Sequence, residues 1–116
     1  MSIRVVNKRT YKPKEGERAI YIGRPSPLGN PFVMESQTNS ERERVIKAYR
    51  QWLYQQISDS QEVKDELNNV LEAAFHFDVA LVCWCAPKAC HGDVIKEVID
   101  KRLNDLTPTN PIPWRF

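Results

Sequence analysis

The stretch DVALVCW, residues 78–84, is a nearly continuous apolar run. A strand needs that pattern when both faces of its sheet are covered, so a buried strand is predicted there. It leads through CAPKACHGD into Val94, Ile95, Val98, Ile99 and Leu103, which are spaced as one face of a helix. A fully apolar strand feeding a helix favours an α/β fold.

The rest of the chain agrees. SIRVVN, residues 2–7, is rich in β-branched residues and reads as a short strand with Ile3 and Val5 on one face. KRTYKPKEGE is polar and reads as a loop, and AIYIG, residues 19–23, reads as a second strand. Ser40 and Glu43 have the spacing of a capping box, ahead of a stripe made by Val45, Ile46, Tyr49, Trp52, Leu53 and Ile57. After SDSQ a second stripe follows in Val63, Leu67, Val70, Leu71, Ala74 and Phe75.

Strand, strand, loop, helix, helix, strand, helix is the order of a small α/β sandwich, of two or three layers, with a partly parallel Rossmann-like sheet. At 116 residues, 41% of them hydrophobic, the chain suffices for a single domain over residues 1–116. Residues 107–116 read as an irregular tail in which Trp114 and Phe116 serve as anchors.

Formal net charge is only +2, but it is unevenly spread. Arg4, Lys8, Arg9, Lys12, Lys14, Arg18 and Arg24 stand against only Glu15 and Glu17 in residues 1–24, leaving the remainder net acidic. Such a region suits a phosphate-bearing ligand or a nucleic-acid backbone. It equally suits solvated lysines on an edge strand and hairpin. No apolar run is long enough for a membrane helix, and no charged-then-apolar leader is present, so a cytoplasmic protein is expected. Three cysteines in a reducing compartment do not make a disulfide framework.

Two loops carry the chemistry. GRPSPLGNPF, residues 23–32, has three prolines and two glycines in ten positions, which neither a helix nor a central strand accommodates. It is expected to be stiff, with Gly23 at its start. Arg24 is placed to grip an anion, Ser26 and Asn30 to hydrogen-bond, and Gly29 to let a ligand or the backbone approach closely. The alternative is a rigid turn that buries Leu28 and Phe32.

The second loop holds every cysteine of the chain. Cys83 and Cys85 fall on one side of an extended strand and Trp84 on the other. Cys90, His91 and Asp93 fall at the start of the third helix, where a thiol is acidified and anions are attracted. Zinc has donors of the right softness here, but C-x-C is tighter than the usual knuckle and adjacent Cys90 and His91 would strain to share one ion, so no metal ligand is assigned. A cysteine phosphatase would need an arginine six residues after Cys85, where His91 stands. A buried-thiol reading is strongest for Cys83, balanced for Cys85 and weakest for Cys90. If the two strands are parallel, both loops rise at one sheet edge and can face each other.

IYIGRPSPLGNPF, a helix beginning near ERERVIKAYRQWL, and LVCWCAPKACHGDVI together resemble the bacterial and phage family of unknown function numbered 4326, over roughly residues 2–100. That resemblance implies no established activity. More loosely, the strand–Cys–loop–Cys-His–helix segment is similar to a second uncharacterised family, numbered 488, and to Rossmann-like folds that bind or cleave nucleotides.

The expectation is therefore a protein that binds a nucleotide or nucleotide-derived ligand between residues 23–32 and 83–93. Gly23, Arg24, Ser26, Gly29, Asn30 and Cys85 are its candidate binding residues. If the protein is an enzyme, it is a hydrolase or transferase acting on that ligand. His91, Asp93 and Cys90 are then the candidate catalytic groups, with no cofactor assigned. On this reading Arg24→Ala and His91→Ala lose the ligand and keep the fold. Three alternatives remain: nucleic-acid binding through the basic amino-terminal region, with Tyr11, Tyr21 and Trp114 as stacking surfaces; a phage accessory protein that binds a host protein; and a structural zinc domain.

Overall fold

A computed structural model describes residues 2–86, 88–104 and 116. Trp114 and most of the expected irregular tail lie outside the described residues. The elements run β1 (Ile3–Asn7), β2 (Glu17–Tyr21), α1 (Asn39–Asp59), α2 (Gln61–His76), β3 (Asp78–Cys83) and α3 (His91–Asn104).

The apolar run forms β3, which lies between the other two strands and is parallel to both. Leu81 is the register partner of Val5 on one side and of Ile20 on the other. All three carboxyl ends therefore lie at one edge, and both functional loops leave from that edge. β1 and β2 do not form a hairpin, because β3 separates them.

Alternation along β3 explains why it has to be apolar throughout. Val79, Leu81 and Cys83 face the main core, which they share with all three helices. Ala80 and Val82 face the other way, where Val6, Tyr11 and Tyr21 cover them. The sheet thus carries its helices on one face only, in two layers. The other face is closed by tyrosines, one of them (Tyr11) brought by the segment that crosses from β1 to β2.

Three local expectations shift. β2 begins at Glu17, two residues earlier than AIYIG suggests. Gly16 takes a φ of +75° in the preceding turn, and its carbonyl accepts from Asp78 N at 3.2 Å, so pairing with β3 starts there. α1 is capped by Thr38, not Ser40: Thr38 Oγ1 accepts from Glu41 N at 3.3 Å. Thr38 and Glu41 have the same spacing as Ser40 and Glu43, and the earlier start lets Arg42 join the buried face of Val45, Tyr49 and Leu53. Phe75 is 48% exposed, because α2 buries Val63, Leu67, Val70, Leu71, Ala73 and Ala74 instead.

α3 comes very close to the sheet. A Cβ at Gly92 would lie 2.8 Å from Val5 Cγ1 and 3.0 Å from Ile22 Cδ1, so only glycine fits this crossing without displacing core side chains. Phe116 packs back on the core, with its N–H donating to Asn68 Oδ1 at 2.7 Å and Arg102 4.3 Å from its ring centroid.

Candidate functional site: a cleft between two stiff loops

The first loop is held by bonds within itself. Gly23 O accepts from Ser26 N and Ser26 O from Gly29 N, each at 2.8 Å. Ser26 Oγ accepts from Leu28 N at 3.2 Å and Asn30 Oδ1 from Phe32 N at 2.9 Å. Arg24 closes the loop by donating from Nε to Asn30 O at 2.7 Å and from Nη2 to Phe32 O at 3.2 Å. Leu28 is the buried plug, and its carbonyl accepts from Tyr49 Oη at 2.7 Å.

The second loop is fastened to β1 and to the rim. Asn7 Nδ2 donates to Trp84 O at 3.1 Å and Ala86 O at 3.0 Å. Trp84 Nε1 donates to Tyr21 Oη at 3.1 Å. Cys90 is the cap of α3: its sulfur accepts from Gly92 N at 3.3 Å, while Asp93 Oδ2 reaches back to Cys90 N at 3.0 Å. This is a capping box with a thiol in the usual hydroxyl's place.

Between the loops lies a cleft of about 410 Å³. Gly23, Arg24, Asn30, Cys85, Cys90 and His91 line it, so six of the nine sequence-derived candidates meet there. Ser26 and Gly29 lie inside their own turn, and Asp93 stays at the helix cap. Phe32, Val45, Ile46 and Trp84 supply apolar wall, and among the described residues no carboxylate lines the cleft. A second hollow of about 390 Å³ shares Met34, Gln37, Arg42, Trp84 and Cys85 with the first.

His91 is 7% exposed and its Nε2 lies 2.8 Å from Ile22 O. A carbonyl only accepts, so this nitrogen carries the proton. Burial, set against the Ile22 bond and reinforced by Arg24, lowers the imidazole pKa. The ring is thus held neutral, edge-on to Tyr49 with centroids 5.1 Å apart. Among the described residues no fully buried side-chain nitrogen or oxygen lacks a partner. No group among the described residues bonds Nδ1, and His91 lines the cleft.

Arg42 is a site residue that the sequence reading missed. It is only 8% exposed, donating to Ala89 O at 3.2 Å and Gln37 Oε1 at 3.1 Å. Its signal was available: position 42 falls on the apolar stripe of Val45 and Tyr49, where a charged side chain needs a reason to be. Together with Arg24 it makes the cleft cationic.

The three thiols form one cluster. Cys83 and Cys90 are buried with sulfurs 3.4 Å apart, and Cys85 is half-buried at the cleft wall. A hydrogen bond from Cys90, with help from the Cys85 and Ala86 N–H groups, brings Cys83 down to about 6. Cys85 is likewise lowered to about 6, first by Cys90 and further by the Arg42 charge. The two neighbouring thiols and burial push Cys90 up. Among the described residues no group of three or more His, Cys, Asp and Glu side chains is arranged to hold a metal ion.

A family model described as Domain of unknown function (DUF4326) matches residues 5–101. The chain belongs to that family. The DUF4326 match spans both loops, Arg42 and the thiol cluster, so the whole cleft is built from the family domain. No curated protein and no solved structure matches the chain.

Proposed function

We propose that this protein binds a nucleotide or nucleotide-derived ligand in the cleft between residues 23–32 and 83–93. The observation that carries the reading is the pairing of Arg24 and Arg42 in a cleft that no carboxylate lines among the described residues and that Phe32 and Trp84 wall in part. Two guanidinium groups suit a phosphate, and flat apolar walls suit a base. The position, beyond the carboxyl ends of parallel strands and beside a helix start, supports the same reading.

The geometry redistributes the roles. Gly92 N and Asp93 N are already bonded within the cap, so the arginines supply most of the positive charge. Hydrolysis or group transfer on the bound ligand is the catalytic form of the proposal. His91 and Cys85 reach the cleft for it, whereas the Asp93 carboxylate is engaged at the cap. No helix among the described residues is long and apolar enough to cross a membrane. A nucleotide ligand and three unpaired thiols both belong with a cytoplasmic setting.

Calorimetric titration with a panel of nucleotides, followed by chromatography of the mixtures, tests both forms. Binding with product formation supports an enzyme. Binding with only intact ligand, across pH and with divalent metals present, supports a binding protein. Absence of binding throughout the panel overturns the proposal.

A second reading rests on a separate observation. Lys8 Nζ lies 4.8 Å from the Tyr21 ring centroid and 5.3 Å from that of Trp84, and the Arg9 guanidinium lies 5.8 Å from Trp84. Interleaved cations and aromatic rings suit single-stranded nucleic acid. Such binding weakens steeply as salt rises, whereas a closed nucleotide pocket responds weakly.

A further inference from the structure

Three sulfurs crowd the end of β3 and the cap of α3, and they differ in access. Cys83 is fully buried and Cys90 nearly so, while Cys85 lies on the wall of both hollows beside the buried Arg42. The Cys90 sulfur lies 3.4 Å from that of Cys83, and Cys90 lines the same cleft as Cys85, which stands five residues before it. The more exposed of the two cleft cysteines is Cys85, the buried Cys90 lines the same cleft, and Arg42 shares the wall of both hollows with Cys85. That is the layout of a reactive thiol with a resolving partner.

We propose that Cys85 reduces a hydroperoxide entering the cleft and that Cys90 then closes a disulfide onto it. In the first step the Cys85 thiolate attacks the terminal peroxide oxygen. The O–O bond breaks, the alkoxide leaves and takes up a proton as alcohol or water, and Cys85 becomes a sulfenic acid. In the second step the Cys90 sulfur attacks the Cys85 sulfur. The S–O bond breaks, and hydroxide leaves as water with the proton that Cys90 gives up. Two thiols are oxidised to one disulfide and one peroxide is reduced.

Arg42 supports the first step by stabilising the thiolate and the oxygen anion that departs. The low thiol pKa of about 6 at Cys85 is consistent with that role. The second step has a structural cost: it takes the Cys90 sulfur from Gly92 N, so the cap of α3 loses its acceptor. The proposal does not depend on the nucleotide reading, since it needs only a small peroxide.

The test is treatment of the reduced full chain with hydrogen peroxide, followed by intact mass and peptide mapping, with dimedone as the sulfenic-acid trap. Wild-type protein is expected to lose the mass of two hydrogens without retaining dimedone. Cys90→Ser is expected to stop at a dimedone-labelled Cys85. Cys85→Ser is expected to oxidise at least ~10-fold more slowly, because the remaining thiols are buried. Circular dichroism checks that both variants are folded. Peptide mapping of the wild type needs no variant: a sulfenic or sulfinic acid on Cys85 with Cys90 still reduced overturns the proposal. Oxidation of folded Cys85→Ser at the wild-type rate also overturns it.

Discussion

His91 Nε2 lies 2.8 Å from the carbonyl of Ile22, tying the first turn of α3 to the residue after β2. This bond fixes the two loop origins relative to each other and so holds the cleft open at a set width. The sequence reading expects His91→Ala to leave the fold intact. The structure makes it a stability change too, because the Ile22 carbonyl loses its buried partner. A loss of about 1–3 kcal/mol is expected, read from urea denaturation midpoints.

The same histidine gives a pH signature. Burial lowers its pKa in the folded chain below the ordinary 6.5. Between the two values the unfolded chain binds a proton that the folded chain does not, so stability falls as pH drops through that window. Urea midpoints measured downward from neutral pH should show this slope in wild type and lose it in His91→Gln. A His91→Gln slope equal to that of wild type would contradict the assignment.

Glu17 gives a second, separable window. Arg4 donates to it from Nε at 2.7 Å and from Nη2 at 2.9 Å, and Tyr11 Oη at 2.9 Å, which brings its carboxyl from 4.5 down to about 2. A lowered acid contributes stability that is complete above 4.5 and disappears as pH falls toward 2. The difference in midpoint between wild type and Glu17→Gln should be constant at neutral pH and shrink below 4.5. A difference that persists unchanged into acid would exclude the ionised pair as its source.

Asp93 separates the structural from the catalytic account of the helix start. Its carboxylate bonds Cys90 N at 3.0 Å, so Asp93→Ala should cost about 1 kcal/mol as a lost cap. If an activity is found, a fall in kcat far beyond what the folded fraction explains would restore the catalytic role expected from sequence.

What the sequence made legible depends on periodicity and on punctuation. DVALVCW announced β3 because burial on both faces leaves no polar positions, and the proline-rich loop announced itself by what it could not be. The meeting of Arg24 and His91 followed from parallel strands alone. Three things were hidden. The Arg24 guanidinium and the Asn30 side chain bond their own loop, and His91 bonds Ile22, which no linear pattern encodes. Arg42 lies far from either loop in sequence and enters the site only because α1 packs on α3. The early start of α1 was hidden for a simpler reason, since two capping boxes overlap in TNSERE.

Arg42 is where the functional account is most exposed to mutation. Arg42→Gln removes the charge beside Cys85 while keeping a polar side chain for Ala89 O. Nucleotide affinity should drop by about tenfold or more, the loss of a charged hydrogen bond. The Cys85 pKa should rise as well, though not to that of a free thiol, because Cys90 is the larger cause of its lowering. Iodoacetamide labelling rates against pH read the second effect without any ligand. An unchanged labelling profile would show that the Arg42 charge does not reach the thiol.

The central claim is that the two loops hold a nucleotide between them, and amide and indole NMR shifts during titration of the ¹⁵N-labelled chain with nucleotides test it most directly. The expected result is saturable shifts at Gly23, Arg24, Asn30, Cys85, His91 and the Trp84 indole, with α2 unmoved. Shifts confined to other surfaces, or none with any nucleotide in the panel, would contradict it.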